Sequence, residues 1–170
     1  MIITDTPADT FDKVALDIIG PLPVTESNNQ YLLTIQCNLT KFLDAIPLPN
    51  ATAQTIGTAF AKEFITRYGA PRVILTDQGQ NFMSTTIKQI CRLFKIKQVR
   101  TTAYRPQSNG SLERSHLVLI EHIKHYIKTG KDWDKYIRFA IFCYNTAKHE
   151  GTGFTPYQLI FSKVADLLSN

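Results

Sequence analysis

The chain has 170 residues, 44% hydrophobic and 19% charged, with eight Gly, eight Pro and a formal net charge of +5. That length suits one domain, able to bury roughly 70% of its unfolded surface without a disulfide or metal staple. The composition excludes collagen-like, mucin-like and disordered chains, no run approaches the about 18 apolar residues of a membrane span, and the first residues lack the basic and apolar regions of a secretory leader.

Residues 14–19 form a nearly continuous apolar run, broken by Asp17, and read as the first strand. Pro21, Pro23 and the polar stretch 25–30 make a hairpin connection. Residues 31–37 and 42–48 read as the next two strands of an antiparallel meander. The period then changes to 3.6. Thr52 caps a helix whose Ile56, Ala59, Phe60, Phe64 and Ile65 share one face, ended by Gly69 and Pro71. A short buried strand at 72–76 ends at Asp77. A helix at 84–94 and a strand at 97–101 follow. Residues 102–109, with Pro and Gly neighbours, are expected to form a mobile loop. Helices at 110–128 and 133–146 complete a β-β-β-α-β-α-β-α-α order, which implies a mixed α/β sheet of five strands flanked by helices. The expected organisation is an extension at 1–10, one core at 11–162 and a tail at 163–170.

Charge is unevenly spread. Residues 1–80 carry five Lys/Arg against eight Asp/Glu, whereas residues 81–170 carry fourteen against six. A basic half joined to a slightly acidic half points to a polyanion whose reactive part meets carboxylates; a solvated basic face is the alternative. Cys37, Cys91 and Cys143 form no Cys-x-x-Cys pair, and the four histidines lie at no zinc-finger spacing from them. Reduced, mostly buried thiols in an intracellular setting are expected, with no structural zinc.

Three acids stand in unusual places. Asp17 interrupts the most hydrophobic strand, where a lone carboxylate costs several kcal/mol unless it is paired, protonated or metal-bound. Asp77 ends another buried strand, where α/β proteins place their sites. Glu113 falls in the first turn of the long helix as read here. Each also has a plain reading: an edge-strand acid in water, a turn residue and a helix-dipole partner. Together, three convergent carboxylates beside a basic half offer the oxygen ligands that hard divalent cations require. Two such cations hold the attacking and leaving oxygens of an in-line phosphoryl transfer.

These residues carry a resemblance. Leu16-Asp17 followed by Gly20-Pro21-Leu22-Pro23, then Thr76-Asp77-Gln78-Gly79-Gln80-Asn81-Phe82, then Tyr104-Arg105-Pro106-Gln107-Ser108-Asn109-Gly110-Ser111-Leu112-Glu113-Arg114-Ser115-His116 resemble a retroviral-type integrase catalytic core, most similar to those of gypsy-type long-terminal-repeat retrotransposons. Thirty-five residues separate Asp77 from Glu113, the gap behind the family's Asp, Asp-35-Glu label. Tyr144-Asn145, His149, Thr152-Gly153 and Thr155-Pro156 resemble the tail that follows the core in this group. The resemblance implies a ribonuclease H-like fold. It also implies a metal-dependent DNA integrase, a nucleotidyltransferase with endonuclease activity. Asp17, Asp77 and Glu113 would be the catalytic acids and the ligands of two Mg²⁺ or Mn²⁺ ions, with Asp17 bridging. The implied chemistry is 3′-end processing by water, then strand transfer into target DNA in the nucleus, or in a cytoplasmic virus-like particle before the nucleus is reached. Partners would be element-end DNA, target DNA, a second copy or larger homo-oligomer, and chromatin factors bound through domains outside this core, with no membrane.

One departure matters. Retroviral cores carry a Lys seven residues after the catalytic Glu, and here that position is Ile120. DNA contacts are therefore expected from Tyr104, Gln107, Asn109 and His116, and from Lys124 and Lys128. On a helix Lys124 returns to within about 20° of the azimuth of Glu113, about 16 Å along, and Lys128 follows one turn on. An isolated core is expected to be impaired or inactive in complete integration. An insertion-sequence transposase shares the three acids, but the 149–156 tail favours the retrotransposon group. A host-domesticated DNA- or chromatin-binding descendant is the reading from another class; such copies often lose a catalytic acid, and this chain keeps all three.

Overall fold

A computed structural model describes residues 9–101, 106–129 and 132–165, with positions 106–113, 125, 126 and 129 described by backbone alone. Its strands are β1 (Lys13–Ile19), β2 (Tyr31–Cys37), β3 (Leu43–Leu48), β4 (Val73–Thr76) and β5 (Lys97–Arg100). Its helices are α1 (Ala53–Ala59), a π-helical stretch (Phe60–Ile65), α2 (Thr66–Tyr68), α3 (Thr85–Leu93), α4 (Pro106–Thr129), α5 (Trp133–Thr146) and α6 (Pro156–Phe161).

The five strands form one mixed sheet in the order β3-β2-β1-β4-β5. Short connections let β1, β2 and β3 pair antiparallel, whereas the helical crossovers return β4 and β5 parallel to β1. β1 is thus a central strand, so Asp17 is not an edge-strand acid. Alternation of side chains sorts the core onto two faces. Val14, Leu16, Leu33, Ile35 and Ile74 pack against Ile56, Phe60, Phe64, Ile87 and Cys91. On the other face Leu32, Leu43 and Ala45 meet Leu119 and Ile123 of α4 and Trp133, Ile137 and Ile141 of α5. Trp133 is fully buried and donates its indole N–H to Pro23 O at 2.7 Å, so the ring fills the core without an orphaned donor.

The strands and α3 fall close to where the sequence places them; Thr52, the expected cap, accepts the amide of Thr55, and Ser84 caps α3 by accepting that of Ile87. Three features differ. The helix read as continuous from Thr52 widens into π-helical turns at 60–65, where the rings of Phe60 and Phe64 stack 5.6 Å apart. The reading of 102–109 as loop fails for 106–109, because α4 begins at Pro106 rather than Gly110. Proline suits a first helical position, where its missing N–H costs nothing. Tyr104 and the rest of 102–105 lie outside the described residues. The six-residue α6, started by a Thr155–Gln158 capping box with Pro156 behind it, was not resolved from the sequence. Among the described residues no helix is long and apolar enough to cross a membrane. Cys37 and Cys91 are buried free thiols and Cys143 is exposed.

Candidate active site

β1 and β4 pair in parallel with Val14 opposite Ile74 and Ala15 opposite Leu75. Continuing that register two positions sets Asp77 opposite Asp17, and strands in a sheet lie about 4.8 Å apart. Two acids sixty residues apart in sequence are thereby brought side by side at the C-terminal ends of two parallel strands. Neither points into the apolar core: the side chain of Asp17 is 37% exposed and Asp77 is exposed.

The end of β4 is braced from three directions. The amide and hydroxyl of Thr101 both reach Thr76 O, at 2.8 and 3.2 Å. The Gln98 side-chain amide of β5 donates to Thr76 Oγ1 at 2.9 Å and to Phe82 O at 2.8 Å, pinning the turn that follows Asp77. Within that turn Gly79 N donates to Asp77 Oδ1 at 2.9 Å, and the amides of Phe82 and Met83 close onto Gly79 O. Asp77 is therefore both a turn residue and an acid held in place, and its Oδ2 has no partner among the described residues. Gln98 is a brace that sequence reasoning missed, because a lone Gln in an edge strand carries no motif.

Asp17 is held differently. Its Oδ1 accepts the amide of Ile18 at 2.8 Å. Opposite it on β2, the buried Thr34 donates its hydroxyl to Asp17 O at 3.2 Å, which leaves Thr34 Oγ1 to accept His116 Nε2–H at 2.7 Å. The ring of His116 then presents Nδ1 to Asp17 Oδ2 at 3.7 Å. Burial lowers the imidazole to about 4, so at neutral pH the ring is neutral, and with its proton on Nε2 the Nδ1 atom offers the carboxylate no hydrogen; the approach is neither an ion pair nor a hydrogen bond. His116 faces the acid rather than bulk solvent.

On α4 Glu113 lies one helical turn before His116, whose imidazole reaches Thr34, the partner of Asp17 across the sheet. Its side chain is outside the described atoms, as are those of Gln107 and Asn109 in the first turns of α4. Because α4 starts at Pro106, Glu113 sits in the body of the helix and not its first turn, and the helix-dipole account of that residue is withdrawn. Ser115, Leu119 and Ile123 are the buried stripe that orients this helix. Lys124 and Lys128 are exposed on the far half of α4, with Lys124 Nζ 3.2 Å from Glu121 Oε1. Hard oxygen donors, solvent-reachable and adjacent across two strands, fit a divalent cation. Among the described residues no group of three ligating side chains converges.

Asn145 and Tyr144 anchor α5 to the site's scaffold. Asn145 accepts from Leu43 N at 2.9 Å and donates to Leu43 O at 2.8 Å, pairing with edge strand β3 as another strand would. Tyr144 OH lies 2.9 Å from Ser115 Oγ and accepts from Gln36 Nε2 at 3.0 Å.

Known proteins resemble the chain in sequence and in fold. A family profile described as "Integrase core domain" matches residues 10–106. The Retrovirus-related Pol polyprotein from transposon 412 of Drosophila melanogaster is 40% identical over 98% of the chain, which spans 14% of that polyprotein. The Gypsy retrotransposon integrase-like protein 1 of Bos taurus is 26% identical over 88% of the chain and 30% of its own length. Among solved structures, the catalytic core domain of BIV integrase superposes with a TM-score of 0.71 at 20% identity, covering 89% of this chain and 94% of that one. The HTLV-2 integrase core domain, solved in complex with magnesium in a trimeric form, gives 0.72 at 18% identity, covering 91% and 99%. The fold is ribonuclease H-like, and the chain belongs to the retroviral and retrotransposon integrase core family.

Proposed function

We propose that this chain is the catalytic core of a polynucleotidyl transferase that trims the 3′ ends of a retroelement DNA and joins them to target DNA. The observation that carries this reading is the β1–β4 register, which sets Asp17 beside Asp77 on solvent-reachable strand ends in a chain of integrase-core ancestry. Asp17, Asp77 and Glu113 would hold two Mg²⁺ or Mn²⁺ ions, with Asp17 shared. When bound, such cations activate the attacking oxygen and neutralise the leaving one. The chain's own part is positional. Gly79 fixes one oxygen of Asp77, Thr34 holds the backbone of Asp17, His116 braces Thr34, and Glu113 lies on α4 one turn before His116. Tyr104, Gln107 and Asn109, together with Lys124 and Lys128, are proposed to meet DNA, and the proposed role of His116 is to brace Thr34 instead. The working form would be a homo-oligomer acting in the nucleus, with chromatin factors engaged through other parts of a longer polyprotein.

The test is joining of a labelled element-end oligonucleotide, or its reverse disintegration reaction, in Mn²⁺ or Mg²⁺. Wild type is expected to form the joined product, and Asp17→Asn and Glu113→Gln to lose it while remaining folded. Equal activity in Glu113→Gln would overturn the assignment.

A further inference from the structure

We propose that Lys41, Arg114, Lys148 and His149 form a cradle for the phosphodiester backbone of DNA at the β2–β3 turn, apart from the Lys124–Lys128 face. The proposal rests on the polynucleotide reading above and extends it to a surface which that reading does not use.

Three segments distant in sequence meet at one buried node. Gln36 of β2 donates its side-chain amide to Ser115 Oγ of α4 at 2.6 Å and to Tyr144 OH of α5 at 3.0 Å, and the two hydroxyls lie 2.9 Å apart. The same amide reaches Lys41 O at 3.3 Å, and Lys41 N closes the β2–β3 turn onto Cys37 O. Each strand of this node ends in a cation. Lys41 is in the turn, Arg114 precedes Ser115, and the chain leaving Tyr144 and Asn145 runs directly to Lys148 and His149. The last of these is fixed as well. His149 N donates to Phe154 O at 2.9 Å, and its Nδ1 accepts Gly151 N at 3.0 Å, which leaves the proton on Nε2 as an outward donor.

What is missing is negative charge. No carboxylate lies within ion-pair distance of Lys41, Arg114 or Lys148 among the described residues. Burial lowers the His149 imidazole, Lys41 and Arg114 add to this and Glu150 opposes it, so the ring joins the cradle as a hydrogen-bond donor and not as a cation. Lys41 is half-buried, and burial lowers its ammonium. A partly desolvated lysine grouped with other cations is unfavourable unless an anion completes the site. A run of phosphates is the anion that matches several cations spread across three segments, and positioning contacts to phosphate need no sequence reading. Arg114 follows Glu113 directly, so a strand in the cradle lies against the helix that carries the third acid. That adjacency selects DNA over an acidic protein segment.

The experiment measures binding of this chain to a fluorescein-labelled duplex by anisotropy, in metal-free buffer over a range of salt. Lys41→Gln, Arg114→Gln and Lys148→Gln are made singly and together, with Lys41→Arg and Lys148→Arg as charge-preserving controls. Circular dichroism and thermal melting establish that each is folded. Each phosphate contact contributes about 0.9 to the slope of log K on log salt. The folded triple variant is expected to lose affinity and show a slope shallower by about 2 to 3, with both Arg controls close to wild type. An unchanged slope in a folded triple variant overturns the cradle, as does a loss that the Arg controls share. Disintegration by wild type in Mn²⁺, run in parallel, separates the two readings. Binding through the cradle without disintegration overturns the catalytic reading alone; disintegration with an unchanged slope overturns the cradle alone.

Discussion

Gly79 and Asp77 are locked together by opposite requirements: the Gly79 amide must come within 2.9 Å of Asp77 Oδ1, and a Cβ on Gly79 would stand 2.9 Å from that same oxygen. The carboxylate is the flexible end of a side chain on an exposed turn, so it gives way and the backbone does not. Gly79→Ala is therefore expected to leave the melting temperature within a few degrees of wild type while displacing the acid. Changes beside metal ligands commonly cost about 10–100-fold in metal affinity, and calorimetric titration with Mn²⁺ should show a loss in that range. Wild-type affinity in Gly79→Ala would show that Asp77 does not depend on this contact.

His116 separates two roles by experiment. If it serves Asp17 through Thr34, His116→Ala weakens Mn²⁺ binding about 10-fold and leaves duplex affinity in metal-free buffer unchanged. If it contacts DNA, the order reverses. The 2.7 Å bond to Thr34 and the 16% exposure of the imidazole favour the first result.

Asn145 and Tyr144 adjoin in sequence, yet their losses should differ. Asn145→Ala strips partners from both the N–H and the C=O of Leu43, and each unsatisfied buried group costs about 1–3 kcal/mol. Urea unfolding should register about 2–4 kcal/mol. Tyr144→Phe removes one hydroxyl from a node in which Gln36 and Ser115 still bond each other at 2.6 Å, so about 1 kcal/mol is expected. Equal effects from the two variants would contradict this assignment of partners.

Asp44 gives a pH dependence with a definite sign. Burial raises its carboxyl; the amide of Ala45 together with Arg67 and Arg138 opposes this, and Glu63 adds to it. The folded state thus holds the proton more tightly than the unfolded state. Its contribution to stability is complete below the unfolded value of about 3.9 and is lost as pH rises through the folded value. Asp44→Asn keeps the oxygen that accepts Ala45 N at 2.9 Å and removes the titration. It is expected to melt higher than wild type near neutrality, with the gain shrinking in acid. A gain that grows in acid would contradict the sign.

What was legible in the sequence was local or periodic. Alternation delimits β2 at Tyr31–Cys37, and a threonine and a serine mark the starts of α1 and α3. Asp17 is visible because a carboxylate in an apolar strand is costly. The start of α4 was not legible, since Gln107, Ser108 and Asn109 supply no apolar position from which a helical stripe could be counted. Thr34, Gln36 and Gln98 were also hidden. Their meaning lies in partners 16 to 108 residues away, and a buried Thr or Gln in a strand looks like any other until those partners are in place. His116 was seen, but its direction was not, because helix spacing fixes an azimuth and not which neighbour fills it.

The parallel pairing of β1 with β4 also sets when the site comes into being. β1, β2 and β3 close through short turns, whereas β4 reaches β1 only after the 53–68 helical segment has crossed the sheet, a slower and entropically costlier closure. Asp17 and Asp77 therefore become neighbours late, once most of the domain stands. A chain caught partway through folding carries both acids and no paired site. Divalent cations held there as proposed would favour the finished state over every earlier one, and they would slow unfolding more than they speed folding.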